Sequence, residues 1–255
     1  MSDHPTTALC SSSADDVRLR GKSLPGELMG QVSFAGVLTF LVTGRMPDAA
    51  ETALVDACLV TLMEHGLTPT AISARLTYTS APEAMQGAVA AGLLSVGSLF
   101  VGTVEGCAEV LDRIASADDV SAAASEILRT HRAEGRRLPG FGHPEHTPVD
   151  PRTERLRELA REHGRYGPHW RALDALDLAL NAPRKRPLPP NATGAIAATL
   201  ADCGIPSEIM RGFALVSRAG GLIAHIHEEQ RRPALHALWQ GASDAVPYAP
   251  DEEEP

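Results

Sequence analysis

The stretch Leu138-Pro-Gly-Phe-Gly-His-Pro-Glu-His-Thr-Pro-Val-Asp-Pro-Arg152 gathers paired glycines, several prolines and two histidines into one short loop. Gly140 and Gly142 flank Phe141 directly before His143. Glycine lets a backbone turn tightly and come close to a ligand. His143 therefore sits on a loop with no bulky neighbour on its N-terminal side. Pro144, Pro148 and Pro151 stiffen the residues after His143 and forbid a regular helix through them. Asp150 is a good N-cap, with Pro151 at the first helical position, for a polar helix from Arg152 to His163. A single imidazole on a rigid loop before a helix start is the first candidate for chemistry. His143 and His146 also raise a metal site. No cysteine or carboxylate cluster completes it, so no metal is expected. The bland alternative is a structural loop with a capping Asp and an incidental His.

Outward from the loop, 255 residues suffice for one large domain or two small ones with a real core. Apolar content is ordinary at 44% and aromatics are scarce at 4%, while frequent Ala and Leu favour helices. A net charge of -9 argues against general nucleic-acid binding. No apolar run is long enough for a membrane span. Residues 1–16 are polar and Ser/Thr-rich and are expected to be a disordered leader. The acidic, Pro-containing segment 244–255 is expected to be a disordered tail. Cys58, Cys107 and Cys203 stand in apolar helical contexts, which suits buried, reduced thiols and a cytoplasmic location.

Helical periodicity recurs along the chain. Ser33–Gly44 is amphipathic, with Gly44 a C-cap candidate and Pro47 blocking continuation. Ala49–His65 is the next helix, placing His65 where a helix dipole favours a cation; a plain C-cap role is the alternative. Ala81–Leu111 is apolar, with Gly87, Gly92, Gly97, Gly102 and Gly106 spaced so that a helical hairpin packs closely. So apolar a hairpin predicts a homodimer. Asp118–Arg137 carries Arg132, Arg136 and Arg137 just before the His143 loop, and Pro183–Pro190 is a stiff basic loop with Arg184 and Lys185. Each basic cluster reads as a solvated face or as a phosphate site. Trp170–Asn181 and Glu208–Glu229 complete the helical segments. Within the latter, Arg218 suits a carboxylate, or else an intrahelical ion pair.

Gly140-Phe-Gly-His143 with Asp150-Pro-Arg152 downstream resembles the Gly-x-Gly-His…Asp-Pro-Arg loop of the citrate synthase superfamily. Other segments resemble the family in the same order, from about Val17 to Pro233. They are Arg20-Gly21 with Glu27-Leu28, Ser33-Phe34 to Pro47, Glu64-His65 to Arg75, Asn191-Ala-Thr-Gly194, Arg218 to His225, and Arg232-Pro233. The resemblance implies an all-α, citrate synthase-like fold. A shortened large helical domain would hold residues 17–106 and 213–243, and a small helical domain residues 107–212. Only 17 positions separate Pro47 from Glu64, which marks the shortening.

The implied chemistry is citryl-CoA lyase-like, with the citryl-CoA lyase module of ATP-citrate lyase as the nearest branch. A citryl-CoA-type thioester is split into an acyl-CoA and a 2-oxo acid, or condensed in reverse. The resemblance gives His143, Thr193 and His65 the catalytic positions. Arg218, Arg232, Phe100, Asn191 and Arg75 would bind substrate. Arg136, Arg137, Arg152, Arg184 and Lys185 would contact coenzyme A, which enters as part of the substrate; no tightly bound cofactor is expected. Expected partners are a second copy of the chain, a small carboxylate and a CoA thioester, with no nucleic acid and no membrane. Two positions depart from the pattern. Phe100 stands where a condensing enzyme has a histidine, and Thr193 where the family has its general-base Asp. Phe cannot transfer a proton, which favours cleavage over citrate or alkylcitrate synthesis. Loss of both groups also fits a non-catalytic binder of a CoA ester or carboxylate.

Overall fold

A computed structural model of the chain describes residues 4–97, 103–143, 146 and 148–250. The fold is mainly α-helical. It separates into two compact units, one made of Met1–Leu62 and Val101–Ala214, the other of Met63–Phe100 and Leu215–Pro255.

The first unit opens with three short antiparallel strands, β1 (Cys10–Ser12), β2 (Val17–Leu19) and β3 (Lys22–Ser23). This corrects the expected leader, because Cys10 pairs with Leu19 and Ser12 with Val17. The turn between them is closed by the Ser13 N–H donating to the Asp16 carbonyl at 2.8 Å. Helix α1 (Phe34–Thr43) starts where Ser33 accepts the Gly36 N–H and stops at Gly44, whose φ of 75° suits glycine. Helix α2 (Ala49–Met63) ends two residues before the expected His65. Then come α5 (Thr103–Ala115), α6 (Val120–Ala133), α7 (Pro151–Glu162), α8 (Pro168–Asn181) and α9 (Ala192–Asp202).

Helix α9 lies at the centre of this unit and packs against α5, α7 and α8. Ala192, Ala195, Ile196, Ala197, Ala198 and Leu200 are all buried, so nearly every face is covered. Small residues there let the neighbouring helices approach. Trp170, Leu173 and Leu176 of α8 and Leu111 and Ile114 of α5 fill the same core. Ala35, Leu54, Val55 and Cys58 of α1 and α2 belong to it too. Residues 17–62 therefore group with the 107–212 segment, not with 63–106 as the expected domain division had it.

A clasp ties three of these helices. His169 at the start of α8 contacts Asp202 of α9 through Nδ1 at 2.8 Å and Asp112 of α5 through Nε2 at 3.0 Å. Asp202 also accepts the N–H groups of Gly167, His169 and Trp170, closing the helix start. Burial opposes a charged His169, but the two carboxylates outweigh it and raise its pKa. A raised folded-state value means stability that is full below the ordinary histidine value of about 6.5 and lost as pH rises through the folded value. The difference in urea midpoint between wild type and His169→Gln is thus expected to be largest near pH 5.5 and to shrink toward pH 9. A difference that grows with pH would show that a charged His169 does not hold these helices together.

The second unit holds α3 (Pro69–Ser80), α4 (Met85–Leu94), the greater part of α10 (Met210–Arg231) and α11 (Leu235–Ala245). Of the evenly spaced glycines, Gly92 makes the close approach: a Cβ there would lie 2.6 Å from Leu222 Cδ1 and 2.8 Å from the Thr70 carbonyl oxygen. Gly87, Gly97 and Gly106 have room to spare, and Gly102 lies outside the described residues, so among those described the expected stripe reduces to one contact point. Helix α11 carries the ordered chain to Ala245, just past the expected start of the tail.

Candidate active site

In the first unit, the His143 loop is held backbone to backbone against the start of α9. The Asn191 N–H donates to the Gly140 carbonyl at 2.9 Å, and the Gly142 N–H donates to the Pro189 carbonyl at 2.8 Å. The Asn191 amide donates to the Gly142 carbonyl at 2.8 Å, while its oxygen accepts the Gly194 N–H and caps α9. Gly140 has φ 84° and no room for a side chain, since a Cβ would meet Cys107 Sγ at 2.5 Å. A Cβ on Gly194 would meet the Gly140 oxygen at 2.6 Å. Asn191, expected to line the substrate, thus spends its side chain on positioning the loop. Beneath, Cys107 is a buried thiol whose pKa is pushed up to about 12, so it packs and does not react.

His143 is half-buried, and its Nδ1 accepts the His146 N–H at 3.2 Å. With Nδ1 as acceptor, a neutral ring would carry its proton on Nε2. The two imidazoles stack with centroids 4.3 Å apart. Asp150 caps α7 and is also the partner of Arg152, whose Nε and Nη2 reach it at 3.0 and 2.8 Å. Burial opposes ionisation of Asp150, but the Arg152 guanidinium and N–H groups outweigh it and lower its pKa. Two of the three Arg152 nitrogens are therefore engaged by the loop. Thr193, half-buried in the first turn of α9, makes no side-chain hydrogen bond among the described residues. None of those residues activates its hydroxyl.

Beside His143 lies a cavity of about 490 Å³. Arg132, Arg136, Arg137 and Arg184 line it together with Leu128, Phe141, Leu180 and Leu188. Arg136 pairs with Glu134. Arg132, Arg137 and Arg184 have no acidic partner among the described residues. In an acidic chain this concentration of guanidinium groups against an apolar wall suits a ligand with phosphates and a flat or aliphatic body. Arg132 belongs to the basic cluster read from the sequence as a phosphate site; the buried His131 beside it was not singled out there. Lys185 is exposed and does not line the cavity.

The second unit carries its own polar cluster. Arg218 of α10 is only 4% exposed. Its Nε and Nη1 are buried and find no hydrogen-bond partner among the described residues. Glu64 Oε2 stands 4.0 Å from Nη1, too far for a hydrogen bond. Burial lowers the pKa of Arg218. Glu64 Oε1 accepts the Gly66 N–H at 2.5 Å, and Oε2 lies 2.9 Å from His225 Nε2, an ion-pair contact without hydrogen-bond geometry. Burial opposes its ionisation, yet His225 outweighs it and the pKa falls. Gly221 of α10 makes room for this turn, since a Cβ there would lie 2.0 Å from the Met63 carbonyl oxygen.

Arg75, expected to touch substrate, is buried behind this cluster. It donates to His225 Nδ1 at 3.0 Å and to Glu229 at 2.8 Å, and it pairs with Glu228. All three of its nitrogens are used, so it orients His225 and is no ligand for a carboxylate. Glu229 also accepts the N–H groups of Ala234 and Leu235, fixing the entry to α11. His65 is exposed on the turn after α2, and Arg232 is exposed beyond α10. Phe100 lies outside the described residues.

The pattern of the family described as "Citrate synthase, C-terminal domain" matches residues 6–238. Among solved structures, the chain is similar to citryl-CoA lyase from Hydrogenobacter thermophilus, at 28% identity and a TM-score of 0.86, covering 98% of this chain and 97% of that one. It shares its fold with ATP citrate lyase from Methanothrix soehngenii, solved in complex with citrate and coenzyme A: 22% identity, TM-score 0.79, 98% of this chain and 43% of that one. A citrate synthase of Haloferax volcanii is 27% identical over 228 residues, 87% of this chain. The chain spans 59% of that relative's length.

Proposed function

The chain belongs to the citrate synthase family, and from that premise we propose that it acts on a citryl-CoA-type thioester, cleaving it to an acyl-CoA and a 2-oxo acid. The observation that carries this reading is the match to a citryl-CoA lyase over nearly the whole of both chains, where the citrate synthase relative is matched over little more than half its length. The reaction is redox-neutral. The tertiary hydroxyl loses its proton, its oxygen becomes the ketone of the 2-oxo acid, and the carbon–carbon bond breaks. The electron pair goes to the thioester enolate, which is then protonated on carbon.

His143 Nε2–H donates to the oxygen that becomes the ketone. Arg218 takes a carboxylate, and the arginines of the 490 Å³ cavity take the phosphates of coenzyme A. Coenzyme A arrives with the substrate. The same proposal includes a homodimer, which would cover exposed apolar side chains such as Phe34 and Leu94, and a cytoplasmic location that keeps the buried thiols reduced. No helix among the described residues is long and apolar enough to cross a membrane.

One observation favours a second reading, a non-catalytic binder of the same ligands: the Thr193 hydroxyl has no activating partner among the described residues. Incubation with citryl-CoA separates the two. Slow, equimolar release of acetyl-CoA and oxaloacetate is expected. Thermal stabilisation by citryl-CoA without products identifies the binder. Neither turnover nor stabilisation rejects both.

A further inference from the structure

We infer that Glu64 is the hydroxyl-reading residue of the carboxylate site, accepting a hydrogen bond from a hydroxyl carried next to the carboxylate that Arg218 binds. This inference deepens the citryl-CoA-type reading and rests on it. Arg218 presents two buried nitrogens without a partner among the described residues, and a buried unpaired cation is costly unless a ligand completes it. Its nearest acid, Glu64, does not complete it. One oxygen of the half-exposed Glu64 accepts the Gly66 N–H, the other lies 2.9 Å from His225 Nε2, and the carboxylate stands 4.0 Å from the guanidinium. His225 is in turn fixed by Arg75 at 3.0 Å. The carboxylate thus leaves open the ion pair that its charge favours.

The result is a donor face and an acceptor side by side. A ligand carboxylate satisfies Arg218 Nε and Nη1. Whatever the ligand places beside that carboxylate then meets Glu64. A second carboxylate is disfavoured there by like charge, and a bare methylene gives Glu64 no hydrogen bond beyond those it already has. A hydroxyl donates to Glu64 and fits. A site built to hydrogen-bond a hydroxyl discriminates strongly against the analogue that lacks it. Because Glu64 is held as a low-pKa carboxylate, it recognises the hydroxyl without being a strong base for its proton.

Isothermal titration of the full-length protein with citrate and with tricarballylate, which differs by the hydroxyl alone, tests this. Wild type is expected to bind citrate at least about tenfold more tightly. Glu64→Ala is expected to bring the two affinities within about twofold of each other, weakening citrate and strengthening tricarballylate. Glu64→Gln, which keeps an acceptor oxygen, is expected to retain a preference for citrate. Equal binding of the two ligands by wild type, or an unchanged preference in Glu64→Ala, overturns the inference while leaving the carboxylate site standing. Failure of wild type to bind either ligand overturns the inference and the carboxylate reading together.

Discussion

Arg218→Ala is expected to weaken citrate binding by about 2–4 kcal/mol, which in affinity is a factor of roughly 30 to 1,000. The size comes from burial. At 4% exposure, Arg218 sits where little water screens its charge, and two of its nitrogens have no hydrogen-bond partner among the described residues. A ligand carboxylate there gains charge-assisted hydrogen bonds without breaking any that those nitrogens already make. The same facts give a second readout of opposite sign. A buried cation without a full partner destabilises the empty fold, so Arg218→Met, which keeps the aliphatic bulk, is expected to raise the urea midpoint of the ligand-free protein. Lower stability in Arg218→Met together with unchanged citrate affinity would make Arg218 a structural ion-pair residue.

Much of this site was legible in the sequence because its parts are local. The Gly140–Gly142 loop, the Asp150 cap and the Ser33–Gly44 helix each announce themselves through backbone chemistry within a few residues, and the structure has them in those places. Helix α9 was not read as a helix from the sequence. Buried on nearly every face, it lacks the polar stripe that periodicity needs. Helix α3 is rich in Ser and Thr, poor helix formers, and its packing on α4 outweighs that propensity. The roles that changed are those set by distant partners. Arg75 reads as a free cation until Glu228, Glu229 and His225 close on it from the other end of the chain. Arg152 has its partner two residues away, but only the capping geometry reveals that Asp150 serves both the helix and the guanidinium. The grouping of residues 17–62 likewise depends on which core Leu54 and Val55 enter, and spacing does not carry that information.

Thr193→Asp is expected to raise citryl-CoA cleavage by about 10²–10⁴-fold, the usual contribution of a positioned acid–base group. Cleavage requires a base for the substrate hydroxyl and an acid for the enolate carbon, and a threonine hydroxyl without an activating partner serves as neither at neutral pH. The position tolerates the change. Residue 193 is half-buried in the first turn of α9, after the Asn191 cap, where the helix dipole favours a carboxylate. The loop geometry should survive, since Asn191 and Gly194 hold it through contacts that residue 193 does not share. His143→Ala is expected to abolish turnover in the wild-type and Thr193→Asp backgrounds alike, because it removes the N–H donor to the developing ketone. Robust wild-type turnover that Thr193→Asp abolishes would mean that the hydroxyl of Thr193 is itself part of the reaction geometry and that the base lies elsewhere. His65, exposed on the turn beside Glu64, is then the residue to replace first.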